Sequence, residues 1–191
     1  MVSSTHSSQR RQVLSGLMKF LVFIGLIFVA VPFVASISGN KDSSGEEHWA
    51  FVVEISGLEP GKLTTLQHAG KVVWVYTRYD KDMEKLALTQ GQLVDPRSEN
   101  SEQPANVLPA FRSVDKRFFI FVPRENLRNC QVRLLEQSEQ AKFKEPCYGA
   151  EFDAAGRRYK HTGKKGQKNL SVPWHKVEQG KLKIALGTVT K

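Results

Sequence analysis

Two cysteines, Cys130 and Cys147, have the greatest scope for covalent or metal chemistry in this sequence. Thiol pairs that bind metals or cycle between redox states usually stand close together as C-x-x-C, and these two do not. In an exported domain two cysteines indicate one disulfide, which stabilises a loop of this size by roughly 3 kcal/mol on the chain-entropy account. Two unpaired buried thiols are the alternative.

The other residues with catalytic or metal-binding potential are dispersed. Glu151 and Asp153 flank Phe152, so an extended backbone would place both carboxylates on one side, away from the core, which is weak support for acid–base catalysis. The sequence contains no glycine-rich phosphate loop after a strand and no G-x-S-x-G motif. Four histidines lack metal-ligand spacing and are expected on the surface or in turns: His48, His68, His161 and His175.

Short strands are the elements that must position these residues. Trp49, Phe51, Val53 and Ile55 stand at every second position, as in a strand with one buried face. Similar patterns predict strands at residues 71–78, 116–123, 131–137, 150–160 (two strands around an Ala-Ala-Gly turn) and 181–187.

One short helix is predicted among these strands. Asp80 is a candidate cap for a helix that runs to about Leu88, with Met83, Leu86 and Ala87 on its inner side. Residues 89–110 carry glycine and prolines with little periodicity and are expected to form a long loop. The sequence therefore predicts an all-β fold, a small antiparallel sandwich or barrel with one short helix.

The N-terminal region predicts a membrane anchor. Residues 20–37 carry no charge and as a helix would span roughly 27 Å, just enough for a bilayer core. A cleaved signal peptide is the alternative. Basic residues on the N-terminal side place residues 1–19 in the cytoplasm and the domain, residues 48–191, outside it. Residues 38–47 are small and polar, which indicates a flexible tether.

The expected cellular location of the protein follows from the same region. Arg10 and Arg11 suggest twin-arginine export, although any paired arginines beside an anchor would also set its orientation. We expect a single-pass protein of the inner membrane with a periplasmic domain. A mitochondrial presequence, and hence the mitochondrial inner membrane, is the alternative, because the first 16 residues are rich in serine and arginine and lack acids.

The charge balance is basic. The formal net charge is +9, and beyond residue 37 the remaining 25 basic and 19 acidic residues give +6, a mixture of signs that suits an ordinary soluble surface. Nucleic acid is not expected as a partner, because the domain faces away from the cytoplasm. One stretch lacks acids altogether, and its basic residues are Arg157, Arg158, Lys160, Lys164, Lys165 and Lys168.

Several segments together resemble the Rieske iron–sulfur subunit of cytochrome bc complexes. Their order and spacing, more than any one of them, carry the likeness: residues 31–38 (VPFVASIS), 58–78 (LEPGKLTTLQHAGKVVWVYTR), 93–100 (LVDPRSEN), 155–160 (AGRRYK) and 169–173 (NLSVP). The resemblance extends over most of the chain and implies a Rieske-type β fold behind one transmembrane helix.

The resemblance also implies where a cluster would be bound. In that family a 2Fe–2S cluster is held by two loops on the patterns C-T-H-L-G-C and C-P-C-H-G-S, in which the first cysteine and the histidine of each are ligands and the remaining cysteines form a disulfide. Residues 125–130 (ENLRNC) and 145–150 (EPCYGA) match these loops. The ligand positions are then Glu125, Leu127, Glu145 and Tyr148, and the disulfide positions are Cys130 and Cys147.

These residue types do not suit the cluster. A Rieske centre needs two thiolates on one iron and two imidazoles on the other. Leu127 has no donor atom, and the glutamates offer hard oxygens where soft sulfur is required. The family's hydroxyl-bearing serine and tyrosine beside the cluster correspond to Ala150 and Phe152. We expect no cofactor and no metal, and a 2Fe–2S cluster only if the resemblance outweighs the missing ligands.

The loop that covers the cluster in the family is apolar and enters a quinol pocket, whereas here it reads KKGQ at residues 164–167. Lysines would meet a desolvation cost of several kcal/mol in such a pocket. The basic residues from 157 to 168 are therefore a candidate contact with an acidic partner or anionic lipid headgroups. A solvated loop kept soluble by its charge is the alternative.

The expected function is that of a non-enzymatic accessory, structural or assembly subunit of a respiratory, cytochrome bc-type complex, with cytochrome b and cytochrome c as partners. Two alternatives stay open: an electron-transferring Rieske subunit of ubiquinol–cytochrome c reductase, and a free-standing periplasmic binding module.

Overall fold

The protein is represented by a computed structural model that describes residues 5–37, 49–136, 138 and 141–186. The chain forms two compact units, residues 1–46 and 47–191. Among its described residues, 5–37, the first contains one helix, α1 (Thr5–Ile37). Within it Val13–Val31 is long and apolar enough to cross a membrane, although a signal sequence would pass the same test. The predicted tether, residues 38–47, and His48 lie outside the described residues.

The described residues of the second unit form three antiparallel sheets of three strands each. The first sheet joins β2 (Leu63–His68), β3 (Lys71–Thr77) and β4 (Phe118–Phe121). The second has the order β1 (Phe51–Glu54), β9 (Lys181–Ile184) and β8 (His175–Glu178). The third joins β5 (Arg133–Leu134), β6 (Phe143–Lys144) and β7 (Glu151–Phe152). The predicted all-β class is confirmed.

The first sheet lies between the other two, because both of its faces are apolar. One face, which includes Trp74 and Phe121, packs on Phe143 and Phe152 of the third sheet. The other face, which includes Val75 and Ile120, packs on Leu182 and Ile184 of the second sheet. Burial on both faces explains why β3 and β4 are nearly unbroken apolar runs. The aromatic rings of Phe121 and Phe143 lie with their centroids 4.8 Å apart.

The predicted short helix is present as α2 (Asp80–Leu88). Its inner face differs from the prediction, since Leu86 is buried but Ala87 is exposed and Asp82 is buried instead. The Asp82 carboxylate accepts hydrogen bonds from the Tyr76 hydroxyl (2.7 Å) and the Tyr79 backbone N–H (3.1 Å). A buried acid is tolerated there because its hydrogen bonds replace those it made to water.

Buried arginines hold the irregular segments in place. The Arg78 guanidinium donates to the backbone carbonyls of Ala154 (2.9 Å), Phe118 (2.8 Å) and Phe111 (2.6 Å), and burial lowers its pKa to about 9, so it stays charged at neutral pH. Arg112 binds the Ala155 carbonyl in the same way (3.1 Å). These bonds tie the loop regions to the sheets without requiring regular structure.

Two side chains expected at the surface are buried. His175 lies inside the unit, where its Nδ1 bonds the Pro173 carbonyl (2.9 Å) and its Nε2 accepts from the Val114 N–H (3.2 Å). Burial lowers the pKa of His175 to about 4. Asp153 is buried because it forms an ion pair with Arg157 (2.7 Å), so Glu151 and Asp153 do not share a solvent-facing side.

Candidate functional site

The candidate site is formed by two six-residue loops that a disulfide joins. The first, residues 125–130, follows β4, and the second, residues 145–150, connects β6 to β7. A backbone hydrogen bond closes each loop between its first and sixth residue: Glu125 N–H to the Cys130 carbonyl (3.0 Å) and Glu145 N–H to the Ala150 carbonyl (2.9 Å). The predicted Cys130–Cys147 disulfide is present, and it links the two loops.

The first residue of the first loop folds its carboxylate back into that loop. Glu125 is buried and accepts hydrogen bonds from the backbone N–H groups of Leu127 (2.8 Å), Arg128 and Cys130 (3.3 Å). A carboxylate that satisfies several backbone donors fixes a turn in the same way as a helix-capping aspartate.

The second loop repeats this arrangement. Glu145 is fully buried, and its carboxylate accepts from the backbone N–H groups of Cys147 (2.7 Å), Tyr148 (3.0 Å) and Ala150 (2.9 Å). The two loops are therefore each organised around a carboxylate that stands in the first position of the six-residue pattern.

A third segment, residues 163–168, joins the two carboxylates. The Nε2 amide of buried Gln167 donates to Glu125 (3.2 Å) and to Glu145 (3.0 Å), while its Oε1 accepts from the Lys164 N–H (2.7 Å). Gly163 has a φ of +70°, and a Cβ there would lie 2.2 Å from Gln167 Oε1. Glycine is therefore required for this approach.

Both carboxylates are held in their charged form. Burial alone would raise the pKa of Glu125 and Glu145, but the backbone N–H bonds and the Gln167 amide outweigh it and bring both pKa values below the ordinary value of 4.5. The centre between the loops is thus two anions whose oxygens are already saturated with donors.

A 2Fe–2S cluster does not fit this donor set. Leu127 offers no donor atom, and Tyr148 presents a phenol ring in place of imidazole. Both cysteine sulfurs of the chain are in the disulfide and supply no thiolate. Cys130, Glu145 and Cys147 bring potential ligand atoms within 4.8 Å of one another, but two of these atoms are disulfide sulfurs and the carboxylate is bound to backbone donors.

The outer side of the loops is basic. Two cations lie against the Tyr148 ring, with the Arg128 guanidinium 5.4 Å and the Lys164 ammonium 5.0 Å from its centroid. Asn126 holds the third segment against the first loop by donating to the Gly166 carbonyl (3.1 Å) and accepting from the Lys168 N–H (2.8 Å). The same side also exposes the aliphatic side chain of Leu127.

The structure divides the predicted partner-contact residues into two groups. Four are exposed: Lys160, Lys164, Lys165 and Lys168. Arg157 and Arg158 are buried, which corrects their assignment to a contact surface. Arg157 pairs with Asp153 inside the domain. Arg158 donates to the Gln167 carbonyl (3.0 Å) and the Thr162 carbonyl, so its guanidinium supports the third segment from within.

Sequence reasoning missed three contributors to this site. Gln167 and Asn126 act through partners 22 to 42 residues away, and no local pattern reports such contacts. Arg128 stands in the first loop, outside the basic stretch that was singled out. The sequence contains one indication of this arrangement. Each of the two six-residue loops begins with an acidic residue, whose carboxylate can reach the backbone N–H groups of the residues that follow it.

Curated proteins and solved structures are similar to this chain. The ubiquinol–cytochrome c reductase iron–sulfur subunit of Allochromatium vinosum is 30% identical over 178 residues, which cover 88% of this chain and 84% of that protein. The mitochondrial cytochrome b-c1 complex subunit Rieske of Solanum tuberosum is 27% identical over 169 residues, which cover 87% of this chain and 57% of that protein.

One of the similar solved structures is a chain of a hyperthermophilic respiratory Complex III. It aligns with 90% of this chain and 98% of its own length, at 13% identity and a TM-score of 0.45. No family model matches the chain. The assignment therefore rests on the relative from Allochromatium vinosum, whose match covers 88% of this chain. The chain belongs to the family of Rieske iron–sulfur subunits of ubiquinol–cytochrome c reductase.

Proposed function

We propose that this protein is a membrane-anchored Rieske-fold subunit that carries no 2Fe–2S cluster and serves a respiratory, cytochrome bc-type complex as an accessory, structural or assembly component. It would catalyse no reaction itself. The observation that carries the proposal is the pair of glutamates that occupy the centre of the two loops, each saturated by backbone N–H donors and joined by the Gln167 amide.

The hydrogen bonds of this pair explain how the fold persists without a cluster. In the Rieske family the cluster and the disulfide both join the two loops. Here Gln167 bridges Glu125 and Glu145, so a polar network supplies a second connection between the loops. The Cys130–Cys147 disulfide supplies the first connection.

Membrane anchoring and partners follow from the family. The proposal places the protein in the inner membrane through residues 20–37, with residues 1–19 in the cytoplasm and the domain in the periplasm, and gives it cytochrome b and cytochrome c subunits as neighbours. Support comes from the apolar span of α1 and from the two relatives, one named as a subunit of ubiquinol–cytochrome c reductase and the other as a subunit of the cytochrome b-c1 complex.

A second candidate is a free-standing periplasmic binding module. The basic outer side of the loops favours it, because Lys164 and Lys168 are exposed where the family presents an apolar surface to a quinol pocket. Electron transfer by a Rieske cluster is disfavoured by the donor set described above.

Affinity purification of the tagged full chain from detergent-solubilised membranes separates the two candidates. A subunit of the complex brings down cytochrome b and c-type cytochromes in fixed proportion, visible as haem absorbance. A separate module brings down neither. An untagged strain and a tagged unrelated single-pass protein serve as controls.

A further inference from the structure

We propose that the outer side of the two disulfide-linked loops and of the third segment is a preformed docking surface for an acidic protein segment. This surface, called the tip below, comprises residues 124–130, 145–150 and 163–168. The inference deepens the proposed function, since it names the chemistry of the partner that the domain would contact, and it rests on the assignment of these loops as cluster-free.

The charge of the tip is one-sided because its two acids point inward. Glu125 and Glu145 are the only carboxylates in the tip, and both are buried. Its cations all lie on the outside and are exposed: Arg124, Arg128, Lys164, Lys165 and Lys168. A surface with five cations and no outward acid attracts carboxylate-rich partners and repels basic ones.

Several of these cations are already held in place. Arg124 donates from Nη1 to the Asn129 carbonyl (2.9 Å), and Arg128 and Lys164 lie on opposite loops against the ring of Tyr148. Side chains that are fixed before binding lose less conformational entropy on association. The disulfide and the Gln167 bridge hold the loops that carry these cations.

The composition of the tip suits a protein better than a lipid surface. Leu127, with 42% of its surface exposed, is the large aliphatic side chain of the tip, and it lies against Gly166. A membrane-inserting surface would need a broad apolar face. One apolar contact framed by arginines and a tyrosine is the composition of a protein–protein interface, and a guanidinium can bind a carboxylate through two hydrogen bonds.

Site-specific photo-crosslinking in native membranes tests the proposal. The probe is the full-length chain with a photo-crosslinking residue at position 127, and the control carries it at position 88, where Leu88 is exposed on α2. Products are identified by mass spectrometry. We expect position 127 to crosslink to a protein segment rich in Asp and Glu, and the yield to fall roughly tenfold between low and high salt.

Charge variants give a second, independent readout. The triple variant K164Q/K165Q/K168Q should lower the crosslinking yield at position 127 roughly tenfold. The matched control K62Q/K81Q/K116Q removes the same charge from exposed lysines outside the tip and should leave the yield unchanged. Near-ultraviolet circular dichroism verifies that both variants keep the native fold.

Several results would overturn the proposal: a yield at position 127 no higher than at position 88, products that are phospholipid alone, or a yield indifferent to salt and to the triple variant. The outcomes also separate this inference from the proposed function. Co-purification with cytochromes that survives the triple variant would keep the function and remove the docking surface. A salt-sensitive crosslink to an acidic protein outside the complex would keep the docking surface and remove the proposed role in the complex.

Discussion

The substitution Glu145→Gln removes one charge from the centre of the loops with almost no change in shape. In the native protein Glu145 Oε1 accepts from the Ala150 N–H (2.9 Å) and from Gln167 Nε2 (3.0 Å), while Oε2 accepts from the Cys147 N–H (2.7 Å). A glutamine keeps one oxygen and turns an NH₂ group toward the remaining donors. At least one donor is therefore left opposed to another donor.

The expected loss of stability follows from these bonds. An unpaired buried N–H costs about 1–3 kcal/mol, and each remaining bond loses its charge assistance, worth about 1 kcal/mol. Water can reach the exposed Cys147 end of the loop, so we use the lower end of the combined cost of these two effects, about 3–4 kcal/mol. For a domain of this size that corresponds to a fall in Tm of roughly 10 °C.

Unfolding of the full chain in detergent, followed by tryptophan fluorescence, measures this effect, since Trp49, Trp74 and Trp174 all lie in the second unit. Glu151→Gln is the matched control. Glu151 forms a half-exposed ion pair with Lys144 (2.8 Å), and its loss should cost less than about 1 kcal/mol.

The pH dependence distinguishes charge from packing. The pKa of Glu145 in the folded state is held below 4.5, so the stability that its charge supplies is present above that pH and is lost as the pH falls through the folded-state pKa. The difference between wild type and the glutamine variant should therefore shrink on acidification. A loss of unfolding free energy below about 1 kcal/mol at pH 7 would refute the role assigned to the carboxylate. A difference between the wild type and the variant that does not change with pH would refute it as well.

Three further predictions follow from other parts of the domain. Burial lowers the pKa of His175 to about 4. On acidification from pH 6.5 to pH 4.5, the unfolded chain therefore binds a proton that the folded chain does not. The unfolding free energy should fall by about 1.4 kcal/mol for each pH unit of acidification in the wild type but not in His175→Asn. Gly163→Ala should cost about 2–4 kcal/mol in denaturant titrations, whereas Gly149→Ala, at φ +72° with open space around it, should cost only about 1 kcal/mol of backbone strain. Reduction of the Cys130–Cys147 disulfide, which closes a separation of 17 residues, should lower the unfolding free energy by about 3 kcal/mol, and an unchanged midpoint in reductant would contradict the structural role.

The strongest patterns in the sequence predicted the strands that carry the core. The apolar runs at residues 71–78 and 116–123 are present as β3 and β4. These strands could be predicted because a strand buried on both faces is a nearly continuous apolar run in the sequence. Strands β2 and β8 were not predicted. Leu63–His68 mixes polar and apolar residues and is defined by its pairing with β3, which a local pattern does not report.

The site was harder to predict because its geometry depends on contacts distant in sequence. The resemblance located the two loops and their disulfide, but not the inward turn of Glu125 and Glu145 or the bridge through Gln167. Charge alone likewise could not show that Arg157 and Arg158 are buried, since carbonyl and carboxylate acceptors from folded segments compensate their burial.

The central claim, that the loops hold carboxylates and no iron, is tested most directly by metal analysis of the full chain. The protein should be purified anaerobically from its native membranes, and its iron content and electron paramagnetic resonance spectrum measured on the same sample. We predict substoichiometric iron and no Rieske-type signal. A stoichiometric pair of irons with such a signal would contradict the account.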